Sequence, residues 1–176
     1  MHTLVVPGVR KVGSVPSDGQ IDAIDARILR ALNDEPRATV LALAEKTGLS
    51  RNTVQARLSR LERDEVLLPF DRRIDPSALG FPLSAFIFTS VTQRSLATIA
   101  EALDAIPEVV QVHGLSGVTD LLIQAVARDA DDLYRIAGRI LDIDGVEKTT
   151  TSLVMHRLVD HRVGGLLDRL ADEPRA

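Results

Sequence analysis

Residues 43–63 read Leu43-Ala44-Glu45-Lys46-Thr47-Gly48-Leu49-Ser50-Arg51-Asn52-Thr53-Val54-Gln55-Ala56-Arg57-Leu58-Ser59-Arg60-Leu61-Glu62-Arg63. Gly48 is the residue type that reverses a helix end, and Ser50 is a strong N-cap for the helix that follows. In that helix Val54, Leu58 and Leu61 recur at i, i+4 and i+7, and Leu49 staples its start. Arg51, Asn52, Gln55, Ser59, Arg60 and Arg63 fall on the other side. Between Ser50 and Arg63 stand four arginines and one glutamate, a local charge of +3. A basic, polar stripe on one helix is the footprint of a nucleic-acid reader, even in a chain whose net charge is −4.

Working outward, two further helices precede this one. Ile21, Ile24, Ile28, Leu29 and Leu32 share one face of a first helix, which has Asp22 at its start and Pro36 beyond its end. A second runs from Thr39 to Thr47, with Leu41, Leu43 and Ala44 inward. Residues 1–20 hold Pro7, Gly8, Gly13, Pro16 and Gly19 without periodicity and read as a mobile arm, with a short strand at Thr3–Val6 as an alternative. Val66–Ile74 reads as extended, and Pro69 confines it to an edge or breaks it. Asp75-Pro76 and Gly80 mark a hinge over 75–82.

Beyond the hinge the period changes. Leu83–Val91, Val109–Leu115, Leu121–Ala127 and Val146–Met155 read as strands. Ser95–Ile106 and Asp129–Ile143 read as helices, the latter through Leu133, Ile136, Ala137, Ile140 and Leu141. The order βαββαβ is that of a ferredoxin-like sheet with both helices on one face. The other face then calls for association. The fold class is therefore α+β: a winged-helix-like helix-turn-helix domain (21–74) before a ferredoxin-like domain (83–159). A tail (160–176) adds a short helix around Leu166–Leu170.

Composition narrows the function. The chain has 176 residues, 45% hydrophobic and 26% charged, an ordinary balance for a globular protein. It has no cysteine, which excludes disulfides and thiolate chemistry. No apolar run approaches the length of a membrane span, no secretory pattern opens the chain, and a cytoplasmic protein is expected. One Tyr, four Phe and no Trp argue against stacking single-stranded bases. The four histidines, His2, His113, His156 and His161, lack metal-ligand spacing. No nucleophile–base pair, phosphate loop or dinucleotide fingerprint occurs, so neither enzyme chemistry nor a cofactor or metal is expected.

Two constellations remain as candidate sites. On the third helix Ser50, Arg51, Asn52, Thr53, Gln55, Arg57 and Arg60 are the DNA-binding set. Arg51 and Arg60 suit guanine or phosphate, Asn52 and Gln55 suit adenine, and Thr53 suits a phosphate beside the helix amides. Arg57 suits the DNA backbone or a tie between helices. In Gly114-Leu115-Ser116-Gly117-Val118-Thr119-Asp120, glycines admit a carboxylate to backbone N–H groups and Asp120 suits an ammonium, the two ends of an amino acid. The plainer reading is a tight turn in which Asp120 bonds its own backbone.

These segments, with Ile21–Leu29, Asp75-Pro76…Leu79-Gly80, Ser116-Gly117…Asp120-Leu121-Leu122 and Gly145-Val146…Thr149…Thr151, resemble the Lrp/AsnC (feast/famine) family of transcription regulators over Ile21–Val159. The family often has glycine where this chain has Glu65 and Pro69, and commonly an aromatic or large apolar residue where it has Thr119. The resemblance implies a homodimer, often built up to an octamer, that binds double-stranded promoter DNA. It also implies that a small molecule, usually an amino acid, binds between sheet domains and changes assembly or DNA affinity. Gly114, Ser116, Gly117, Asp120, Thr149 and Thr151 are then the effector-binding set. Two rivals share the two-domain plan: a sirohaem-decarboxylase-like enzyme citing His113 and His156, and a sensor scaffold that binds no DNA.

Overall fold

A computed structural model of the chain describes residues 21–68 and 74–172. The arm at 1–20 and the middle of the extended Val66–Ile74 reading lie outside the described residues. The chain divides into two compact units, a helical one and a sheet-containing one.

The helical unit contains α1 (Ala23–Asp34), α2 (Val40–Thr47) and α3 (Arg51–Arg63). Each opens on a side-chain cap that satisfies an otherwise orphaned amide. Asp22 accepts from the Asp25 amide and Asp25 returns a bond to the Asp22 amide, a capping box. Thr39 accepts from Ala42 and Ser50 from Thr53. Gly48, at φ 67°, reverses the chain after α2 in the left-handed region that favours glycine. Ile28, Ala31, Leu43, Ala44 and Val54 form the core of this helix triad. Leu41, expected inward, is exposed, because the eight-residue α2 already fills its inner face with Leu43, Ala44 and Thr47.

After α3 the chain turns instead of extending. The amides of Val66 and Leu67 both donate to the Leu61 carbonyl, and Glu65 takes φ 54°. The helix end thus requires a left-handed residue, and a non-glycine side chain holds it at a cost of about 1–2 kcal/mol. A second small core joins Leu29 and Leu61 to Leu167, which lies on α6 (Gly164–Asp172). The terminal helix is longer than the expected Leu166–Leu170 and packs on α1, where Asp168 also faces Arg30 at 3.7 Å.

The sheet unit runs β1 (Leu83–Val91), α4 (Leu96–Asp104), β2 (Val109–Gly114), β3 (Leu121–Ala127), α5 (Ala130–Leu141) and β4 (Val146–Leu153). The strands are antiparallel in the order β2-β3-β1-β4, the ferredoxin-like arrangement expected from the sequence. Ala85, Ile87, Thr89 and Val91 alternate inward along β1. Ile87 and Val91, with Ile123 and Ala125, form one core with Ile99 and Leu103 of α4 and Ile136 and Ile140 of α5. Leu141 is exposed, contrary to expectation, because Ile140 beside it takes the inward position. The register places Phe86, Phe88 and Leu122 on the opposite face, all half-buried. At the α5–β4 turn Gly145 has φ 91°, and a Cβ there would lie 2.7 Å from that of Ser95. Only glycine fits this corner.

An ion-pair network fastens α5. Asp132, almost fully buried, accepts from the side chain and backbone of Arg128 and from the side chain of Arg135. Arg135 also donates to Glu108 at 2.7 Å. The Arg128 guanidinium and amide, with Arg135, hold the Asp132 carboxyl far below the usual carboxylate range. A lowered native pKa stabilises the fold fully above about pH 4, the unfolded value, and that contribution is lost as pH falls toward the native one. The gap in thermal midpoint between wild type and Asp132→Ala should therefore narrow as pH falls from about 4 to about 2. A constant gap across that range would assign the stabilisation to something other than ionisation.

Candidate nucleic-acid interface and effector loop

On α3 the apolar stripe of Val54 and Leu61 faces α1 and α2, which turns Arg51, Asn52, Gln55, Ala56 and Ser59 into solvent. Ser50 and Thr53 serve the cap first: Ser50 Oγ lies 3.1 Å from the Thr53 amide and 2.8 Å from its hydroxyl. The first two turns therefore present one cation and two carboxamides on a rigid, capped helix end. That is the part of a recognition helix that meets base edges. Arg63, not among the sequence candidates, is 72% exposed at the far end of the helix.

Arg57 and Arg60 are committed elsewhere. Arg57 Nη1 donates to Asp22 Oδ2 at 2.6 Å and to Asp25 Oδ1 at 3.0 Å. Arg60 Nη2 donates to Asp25 Oδ2. Asp25 is completely buried, so α1 and α3 are locked through a carboxylate with no access to water. Arg57 thus ties helices together, one of its two expected roles. Arg60 faces α1, not the open face proposed for it. Burial pulls the Asp22 pKa up, but the Asp25 amide and the Arg57 guanidinium outweigh this and hold it below its ordinary value. The sequence carried the signal for this pairing: Asp22 and Asp25 stand three apart at the start of one helix, the first as its cap, and Arg57 and Arg60 three apart on the other.

In the sheet unit Gly114 ends β2, and the loop to β3 closes with the Leu115 amide donating to the Asp120 carbonyl at 2.7 Å. Ser116, Gly117 and Val118 are exposed, and Val118 fully so. Asp120 is half-buried and its carboxylate is engaged twice. Oδ2 accepts from the Val91 amide at 2.9 Å, and Oδ1 from Gln93 Nε2 at 2.7 Å. The Asp120 amide donates to the Thr89 carbonyl. The loop is therefore pinned to the end of β1, with Gln93 as a partner that the sequence did not single out. No spacing rule joins residues 27 apart, and only the strand pairing brings them together.

Thr149 and Thr151 lie elsewhere. Across the sheet Gly114 pairs with Leu121, Leu121 with Thr89, and Thr89 with Thr149. Three strand spacings separate Thr149 from Gly114, about 14 Å. Both threonines sit on β4, the opposite edge strand from β2. The same topology parts His113 on β2 from His156 beyond β4, so the two histidines do not converge. Among the described residues no group of three His, Asp or Glu side chains is arranged to hold a metal ion. No described helix is long and apolar enough to cross a membrane.

Comparison with known proteins covers both units. Residues 21–67 match a winged helix-turn-helix DNA-binding family, and residues 84–164 the Lrp/AsnC ligand binding domain. The HTH-type transcriptional regulator AldR of Mycolicibacterium smegmatis is 36% identical, over 87% of this chain and 93% of its own length. Two solved structures superpose with a TM-score of 0.72. One is a transcriptional regulator from Neisseria meningitidis in complex with L-Met, 25% identical over 84% of this chain and 99% of that one. The other is a feast or famine regulatory protein from M. tuberculosis complexed with L-methionine, 29% identical over 81% and 97%.

Proposed function

This chain belongs to the Lrp/AsnC family of transcriptional regulators, and from that premise we propose that α3 reads operator DNA while the Gly114–Asp120 loop takes an amino-acid effector. The observation that carries the DNA half is the division of labour along α3. Its inward stripe is apolar, Arg57 and Arg60 are spent on Asp22 and Asp25, and Arg51, Asn52 and Gln55 stand exposed at the capped N-terminus. Arg51 and Arg63 supply charge toward phosphates. Asn52 and Gln55 supply paired donors and acceptors for base edges.

The effector half rests on the loop geometry and on the relatives that hold L-methionine. Exposed backbone at Ser116 and Gly117 faces a ligand carboxylate, and Asp120 faces its ammonium. A second copy covers the sheet face of Phe86, Phe88 and Leu122, giving the homodimer, and larger assemblies follow from it. An effector that binds one assembly better than another shifts the spacing of the paired recognition helices, and with it the affinity for DNA.

The test is an anisotropy titration on duplex from the protein's own upstream region, at two salt concentrations, with and without pooled amino acids. Arg51→Ala with Gln55→Ala is expected to weaken binding at least tenfold at fixed salt, since each bidentate base contact is worth about 1–3 kcal/mol. The thermal midpoint stays within a degree or two, both side chains being exposed. Unchanged affinity removes α3 from the interface. Amino acids that alter neither oligomer size nor affinity remove the effector half.

A further inference from the structure

Gln93 stands in the short 3-10 turn between β1 and α4, outside the loop whose carboxylate it meets. Its carboxamide is exposed, yet Nε2 is fixed 2.7 Å from Asp120 Oδ1. The Val91 amide holds the other oxygen at 2.9 Å. The Asp120 carboxylate is thus clamped in one orientation by two donors, one from the last residue of β1 and one from the turn that follows it. Each of its oxygens keeps one lone pair uncommitted, and Gln93 Oε1 has no partner among the described residues. A primary ammonium brings three N–H donors. We propose that Gln93 is a positioning and specificity-determining residue of the effector site, orienting Asp120 and adding its own carbonyl oxygen as a second acceptor for the ligand's ammonium.

This inference rests on the effector reading above and deepens it. Two physical effects favour ligands carrying an amine. A pre-oriented carboxylate has little rotamer freedom left to lose on binding. A neutral carboxamide supplies an acceptor without placing a second negative charge beside Asp120. A ligand with a carboxylate but no amine gains from neither. Gln93 therefore sets the preference for amino acids over plain carboxylic acids, while the loop backbone sets the binding of the carboxylate they share.

The experiment is calorimetric titration of the full chain with the twenty standard L-amino acids taken singly. The tightest binder is then compared with its deaminated analogue on wild type, Gln93→Ala and Gln93→Lys. Wild type is expected to prefer the amino acid. Gln93→Ala should cut that preference about tenfold, by weakening the amino acid and leaving the analogue unchanged. Gln93→Lys tethers an ammonium against Asp120 and should reduce the preference further. Equal weakening of both ligands, or a preference intact in Gln93→Ala, overturns the role of Gln93 and leaves the effector reading standing. A wild type that binds none of the amino acids overturns both.

Discussion

Asp25→Ala is expected to destabilise the helical unit by about 3–5 kcal/mol, the usual cost of removing one member of a buried ion pair. Asp25 is a completely buried carboxylate that meets Arg57, Arg60 and the amide of Asp22. Truncation loses the attraction to both arginines and leaves Arg60, whose Nε is itself buried without a partner among the described residues, lacking its counter-charge. Asp22→Ala should cost less, about 0.5–2 kcal/mol, because Asp22 is half-exposed and loses mainly its cap. Urea unfolding read at both variants checks the ranking: the midpoint falls and the slope stays constant. Equal midpoints for the two variants would show that the buried carboxylate is not the anchor. DNA affinity is expected to fall with Asp25→Ala as well, through loss of the fixed angle between α1 and α3.

Leu167→Ala is expected to cost the same helical unit about 2–5 kcal/mol, the range for truncating a core leucine. Leu167 is 7% exposed between Leu29 and Leu61, so its removal opens a void between α1, α3 and α6. The neighbouring Leu166 is exposed, and Leu166→Ala should stay within about 0.5 kcal/mol as the control. Amide exchange localises the effect. Protection in α1 and α3 falls with Leu167→Ala, while β1 and β3 keep theirs. Uniform loss across both units would mean that α6 serves a global role. The consequence is topological: the helical unit is built from segments on both sides of the sheet unit in sequence, α1–α3 before it and α6 after it. The sheet domain is an insertion between α3 and α6, joined to that unit by two covalent connections.

Much of the fold was legible because its elements are punctuated locally. Ser50 and Asp129 announce helix starts through their side chains, and the alternation along Leu83–Val91 gives a strand with unchanged limits. Errors gathered where a residue type fits two environments. Leu41 and Leu141 match a helical period but fall outside the stripe that their neighbouring elements cover. The turn at Glu65 was masked by a residue that does not advertise a left-handed backbone. Of the proposed DNA-reading residues, Arg51, Asn52, Gln55 and Arg60 all fall opposite the apolar stripe by helical period. Arg60 nevertheless turns to the buried Asp25, because a long side chain at the border of a face can meet either solvent or a buried carboxylate.

The sequence by itself determined the two-part plan, the capped third helix with its polar outward side, and the succession of strands and helices along the second domain. Each is written in the identities of neighbours a few residues apart. Only the tertiary structure decided that Asp22 and Asp25 together pair with two arginines of α3, that Gln93 holds Asp120, and that the last helix returns to the first. These are contacts between residues distant along the chain. They are selected by which surfaces remain unburied once the local elements have formed, and no local period encodes that.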